Sequence, residues 1–163
     1  MVIAFTILGE PASKANSREI ALVGPKDKKR VLVRKGDKAL DYERNALLQI
    51  PPRYRVRLTG PVRVTLRIFY ASERPDLDES IVLDVLQDRF QKATKADRAR
   101  FGMMATRVLV QDGVYRNDRQ VREKHIFHAI DRANPRCEIE VEEMSAQQMP
   151  LPQELFYEAE IPF

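Results

Sequence analysis

The chain has 163 residues, 44% hydrophobic and 32% charged, with 28 Lys and Arg against 24 Asp and Glu for a net charge of +4. This describes one globular domain able to bury roughly 70% of its extended surface without a staple, and it excludes a wholly disordered or fibrous chain. No stretch approaches the ~20 apolar residues of a spanning helix.

Met1–Leu8 is apolar, but no basic region precedes it and Gly9-Glu10-Pro11 stops it, unlike a secretory signal. A lone cysteine, Cys137, excludes an internal disulfide framework. The cytoplasm is the expected address. Val2–Leu8, apolar on both faces, predicts a central strand.

Gly9–Lys38 is a long polar connection with a turn at Gly24-Pro25 and a short strand at Val31–Val33; connections this long are commonly functional. Residues 14–38 hold nine basic and three acidic side chains. Residues 1–143 carry +7, because the Pro-containing tail 144–163 holds Glu154, Glu158 and Glu160 and no Lys or Arg. A segment so basic attracts a polyanion by counterion release, and nucleic acid is the commonest one in a cytoplasm. The plain alternative is a solvated loop that binds nothing.

Asp41–Gln49 reads as a short helix ended by Pro51-Pro52. Val62–Tyr70 is the clearest strand, with Val62, Val64, Leu66, Ile68 and Tyr70 on one face and Arg63, Thr65 and Arg67 on the other. Residues 78–90 predict an amphipathic helix, with Ile81, Val82, Val85, Leu86 and Phe90 opposite Asp84, Gln87 and Asp88. Basic helical sequence follows to about residue 107. After a turn at Gln111-Asp112-Gly113, Val121–Ile130 is a strand and Arg136–Glu142 pairs with it as a hairpin. There Cys137 shares a face with Ile139 and Val141, as a core residue and not a nucleophile. The sum is an α+β single domain: a small mixed sheet, helices packed on one side, and a basic helical insertion at 91–110.

Two segments can carry chemistry. In Arg74-Pro75-Asp76-Leu77-Asp78-Glu79, Asp76 and Asp78 stand two apart between a strand and a helix. Paired carboxylates repel and favour a shared hard cation, Mg²⁺ or Mn²⁺. Equally, Asp78 is explained as a helix cap, with Asp76 and Glu79 favoured by the helix dipole. In Tyr115-Arg116-Asn117-Asp118-Arg119-Gln120, Asp118 offers a further carboxylate, although Asn-Asp is also ordinary turn chemistry. His125 and His128, three apart on a strand, face opposite sides and read as structural or surface residues.

Taken in order, Pro75-Asp76-Leu77-Asp78, Leu83-Asp84-Val85-Leu86, Gly113–Val121 and a terminal hairpin resemble the RusA family of phage and prophage Holliday junction resolvases. Gly9-Glu10-Pro11 with Lys14 and Arg18, and Tyr42-Glu43, look like the family's opening, so the resemblance spans roughly residues 3–143. It implies a homodimeric, Mg²⁺-dependent endonuclease acting on branched DNA. Asp76, Asp78 and Asp118 would be its catalytic, metal-binding acids, and Lys14, Arg18, Lys28, Lys29, Arg30 and Arg74 its candidate DNA contacts. A site that binds branched DNA without cutting it is the alternative. Three departures stand out: Glu79 replaces the family's Asn, Asn117 replaces the first acid of its Asp-Asp pair, and its helix Lys falls on Val82 without a gap, or in a two-residue deletion if Asp84 is matched to the Asp of its Asp-Ala-Leu. No Lys lies between residues 39 and 91.

Overall fold

The structure, a computed structural model, describes residues 1–13, 18–25, 30–73 and 78–145. Strands β1 (Val2–Leu8), β4 (Val62–Tyr70), β7 (Val121–Ile130) and β8 (Arg136–Glu143) form a mixed sheet in the order β1-β8-β4-β7. Two smaller antiparallel pairs stand beside it: β2 (Arg18–Val23) with β3 (Arg30–Lys35), and β5 (Arg89–Lys92) with β6 (Arg107–Gln111). The helices of the described residues are α1 (Asp37–Gln49), α2 (Ser80–Leu86) and α3 (Lys95–Phe101). The result is the α+β domain that the alternation predicts. None of its helices is long and apolar enough to cross a membrane.

The period-2 pattern of β4 decides the core. Its inward residues Val62, Val64, Leu66 and Ile68 are fully buried and meet Cys137, Ile139 and Val141 of β8 and Ile3 and Ile7 of β1. Ala39, Tyr42 and Ala46 of α1 cover this layer, at the i, i+3, i+7 spacing of one helix face, with Ile81, Val82, Val85 and Leu86 of α2. Each fully buried aliphatic contributes on the order of 1.5–3 kcal/mol. Burial pushes the Cys137 thiol up to about 12, the state of an inert core residue. The opposite face is polar, with Arg63 bridging Glu123 and Glu142 at 2.8 and 2.9 Å. His125 pairs with Glu123, while His128 stacks on Tyr70.

Side chains also fasten the ends of elements. Gln49 closes α1 onto the end of β1, accepting from Leu8 N and donating to Leu8 O. Gly9, at φ +94°, then turns the chain away from the sheet in a conformation glycine alone adopts without strain. Glu10 accepts from Ala71 N at 2.7 Å, tying this exit to the end of β4.

Several expectations are corrected. The strand β1 is at the sheet's edge, with Val2 and Leu8 each 58% exposed, because β8 and not β1 takes the place beside β4. The strands β7 and β8 form no hairpin. They straddle β4, β7 parallel to it and β8 antiparallel, which pairs both edges of β4 and keeps its fully buried residues in the middle of the sheet. The helix α1 begins at Asp37, one turn earlier than read, with that acid in its first turn. The helix expected over 78–90 ends at Leu86, and Phe90 is half-exposed on β5. The 91–110 insertion is helical only at α3, which a reciprocal Thr94–Asp97 capping box opens; strands flank it.

Candidate metal and nucleic-acid site

The end of α2 is clasped by two backbone neighbours. Val114 N donates to Leu86 O at 2.7 Å and Asp88 N to Arg116 O at 3.3 Å. From the other side Arg57 N donates to Gly113 O and Leu58 N to Val114 O. Gly113 permits this approach: a Cβ there would stand 2.4 Å from the Gln87 carbonyl carbon and 2.5 Å from Asp88 N. Asp88, placed on the polar helix face by its spacing, is instead buried outside the helix. Its carboxylate takes a forked contact from the Arg57 guanidinium at 2.9–3.2 Å and a bond from Gly113 N at 2.9 Å.

This clasp sets Tyr115 against α2. Its hydroxyl donates to Leu83 O at 2.9 Å. Burial pushes the phenol above its usual range, and the charges of Asp118 and Asp84 push it further. Two acids from separate elements therefore act on one buried ring.

Asp118 is carried by a rigid 3-10 turn, Asp118–Gln120. Gln120 fixes it, its oxygen accepting from Arg116 N and Asn117 N and its nitrogen donating to Leu58 O and Gly60 O. Asn117 accepts from Arg119 N and caps the turn. The Asp118 carboxylate is exposed and makes no hydrogen bond or ion pair with any described residue.

Asp78 is partly buried and stands one residue before the N-cap, Glu79, so it does not cap the helix as expected; its Oδ1 accepts from Ser80 N at 3.0 Å in an Asx-type turn, which occupies one oxygen. Glu79 bonds to Lys124 at 3.1 Å. That contact draws the Asp78 end of α2 onto β7, the strand into which Asp118 leads. Asp76 and Arg74 lie outside the described residues. Among the described residues no three His, Cys, Asp or Glu side chains converge as a metal-holding group.

Sequence reasoning missed the cation in this neighbourhood. The Lys35 ammonium, at the end of β3, lies 3.0 Å from both Glu43 Oε2 and Asp84 Oδ2. Burial alone would lower its pKa, but the bonds and charges of Glu43 and Asp84 prevail and raise it. Glu43 also receives Arg89 and is held below its ordinary value against the opposing effect of burial. Asp84 Oδ1 accepts from Gln87. The missing signal is the register of the hairpin, which sets Lys35 opposite Arg18 and beside the start of α1. A cleft of about 900 Å³ opens here, between Lys35, Arg116 and Asn117 and the strands β5 and β6.

Of the expected DNA contacts, Lys14, Lys28 and Lys29 lie outside the described residues. Arg18 is placed by its backbone on β2, and Arg30 is exposed where β3 begins. Comparison with family models and with curated proteins finds no match to this chain.

Proposed function

We propose that this chain is a RusA-type, Mg²⁺-dependent endonuclease that hydrolyses branched DNA, Holliday junctions above all, in recombination and repair, as a homodimer. The observation that carries the reading is the exposed Asp118 carboxylate, bound to no described residue, on a turn braced by Gln120 and directly after Arg116 and Asn117, which line a cleft of cations.

The donor types suit the metal. Mg²⁺ takes one or two carboxylates and keeps several waters, so Asp78 and Asp118, with Asp76, would suffice to hold it. Bound there, the ion would supply charge neutralisation on the phosphate and a water of lowered pKa. Lys35 and Arg116 would bind phosphate oxygens without reading bases. Asp84 and Glu43 would keep the Lys35 ammonium charged and in place. In the hydrolysis a water oxygen bonds to phosphorus and one P–O ester bond breaks, leaving a phosphate monoester and an alcohol.

One observation favours a second reading, a RusA-like protein that binds branched DNA without cutting it. Asp78 and Asp84 both have oxygens already engaged, by Ser80 and by Lys35 and Gln87. Incubating purified protein with a labelled four-way junction in Mg²⁺, Mn²⁺ or EDTA separates the two. Paired nicks with either metal and none in EDTA are expected; tight binding without nicks would overturn the enzyme in favour of the second reading.

A further inference from the structure

The strands β5 and β6 carry a feature that phosphate hydrolysis does not require. Lys92 and Arg107 are direct cross-strand partners, so two cations sit opposite each other on one antiparallel pair. Like charges in that relation destabilise a sheet. Neither makes an ion pair with a described residue. Both line the 900 Å³ cleft together with Arg116, and with Lys35, which Glu43 and Asp84 already engage. The one acid among the described lining residues, Asp88, is already committed to Arg57 and Gly113. The cleft therefore presents uncompensated positive charge that an anion would relieve.

Phe90 gives the anion a second property. It lines the same cleft and is 52% exposed, on a strand whose neighbours Ala93 and Leu86 are buried. Gln87, Gln91 and Asn117 add amide donors and acceptors around it. An aromatic face beside a track of cations is what unpaired nucleotides bind, because every base has a face to stack and every phosphate a charge. A duplex keeps its bases stacked on one another and offers Phe90 no such surface.

We propose that the cleft between β5–β6 and Arg116 takes an unpaired strand of DNA, with a base on Phe90 and the adjoining phosphates among Lys92, Arg107 and Arg116. The proposal deepens the nuclease reading and rests on it only for what the neighbouring acids do. The cleft would then draw a frayed or displaced strand from the branch point toward Asp118.

The test is fluorescence anisotropy of the full chain in EDTA, with labelled oligothymidylate and with a blunt duplex of equal length. Phe90→Leu keeps an apolar side chain and removes the aromatic face. It is expected to weaken oligothymidylate binding about tenfold and leave duplex binding within about twofold. Lys92→Ala with Arg107→Ala is expected to reduce the slope of log affinity against log salt by about 1.4, the share of two phosphates on a single strand. Unchanged oligothymidylate affinity in Phe90→Leu, or an equal loss on duplex, would overturn the proposal, as would an unchanged salt slope. Mg²⁺-dependent junction cleavage by the same preparations is scored separately. Binding as expected with no cleavage by the wild type would sink the nuclease reading alone; cleavage with an indifferent Phe90→Leu would sink the cleft alone.

Discussion

Lys35 and Asp84 are 49 residues apart in the chain, yet their charged groups lie 3.0 Å apart. That contact joins the β2–β3 hairpin to α2, and Glu43 completes it from α1. The ionisable groups give it a defined pH window. Lys35 has a raised pKa, so its contribution is present below its ordinary value of 10.5 and lost as pH rises through the higher folded value. Glu43 has a lowered pKa, so its contribution is present above 4.5 and lost as pH falls through the lower folded value. Glu43→Gln should therefore cost about 1 kcal/mol near neutral pH, the scale of partly exposed pairs. The gap to wild type should close below pH 4.5. Urea unfolding across that range checks it; a gap independent of pH would contradict the assigned pair.

Asp118 and Asp78 differ in what else they do, and their Asn variants should differ accordingly. Asp118→Asn removes only an outward carboxylate, so it should leave thermal stability unchanged and reduce metal-dependent junction cleavage by at least about 100-fold. Asp78→Asn should lose cleavage as well. Its amide oxygen can still accept from Ser80 N, so any loss of stability should stay below about 1 kcal/mol. Junction binding in EDTA should survive both. Full cleavage by Asp118→Asn would remove that residue from the site.

What the sequence discloses and what it hides divide by range. The strand β4 is legible to the residue because its alternation is local and one face is buried. The free Asp118 is legible as a candidate because Asn117 and Gln120 brace a turn of short span. The end of α2 is not, because it is set by Gly113 and Tyr115, which arrive from far along the chain. Periodicity continues the helix to Phe90, but the bridge between Gln87 and Tyr115 stops it at Leu86. Lys35 is hidden for the same reason. Nothing in its own segment distinguishes it from Arg34, which turns to Glu19 instead.

Gly113 should be the least replaceable glycine near the site. A methyl group there meets three atoms of one backbone stretch, Gln87 C, Asp88 N and Leu86 O, all within 2.6 Å, and backbone cannot swing away as a flexible side chain can. Gly113→Ala should cost about 3 kcal/mol, the upper range of overpacking, and should loosen Tyr115 from α2. Equilibrium denaturation measures the cost, and the fluorescence of an engineered Trp at a distant surface position can report whether the fold survives. A loss under about 0.5 kcal/mol would mean that the clasp is not close-packed.

Tyr42 predicts the opposite sign. Its hydroxyl is buried with no hydrogen-bond partner among the described residues, which leaves a desolvated polar group in the core. Tyr42→Phe removes the hydroxyl and keeps the ring, so stability should rise by about 1 kcal/mol. The urea midpoint checks this directly, and a fall would mean that the hydroxyl has a partner.

The strand order carries a consequence for how the molecule is made. Among the described residues the strand β1 finds its one sheet neighbour in β8, so Ile3 waits for Val141 and Ile7 for Cys137. A strand made early is completed by one made far later in the chain. Until Arg136–Glu143 emerges, the backbone N–H and C=O groups along the edges of β1 and β4 that β8 will pair stay open, and such edges are what chaperones hold and aggregates exploit. Pairings this distant also make for slow closure. A nascent chain stalled before residue 136 should therefore remain protease-sensitive from its N-terminus, whereas one extended past residue 145 should close as a unit.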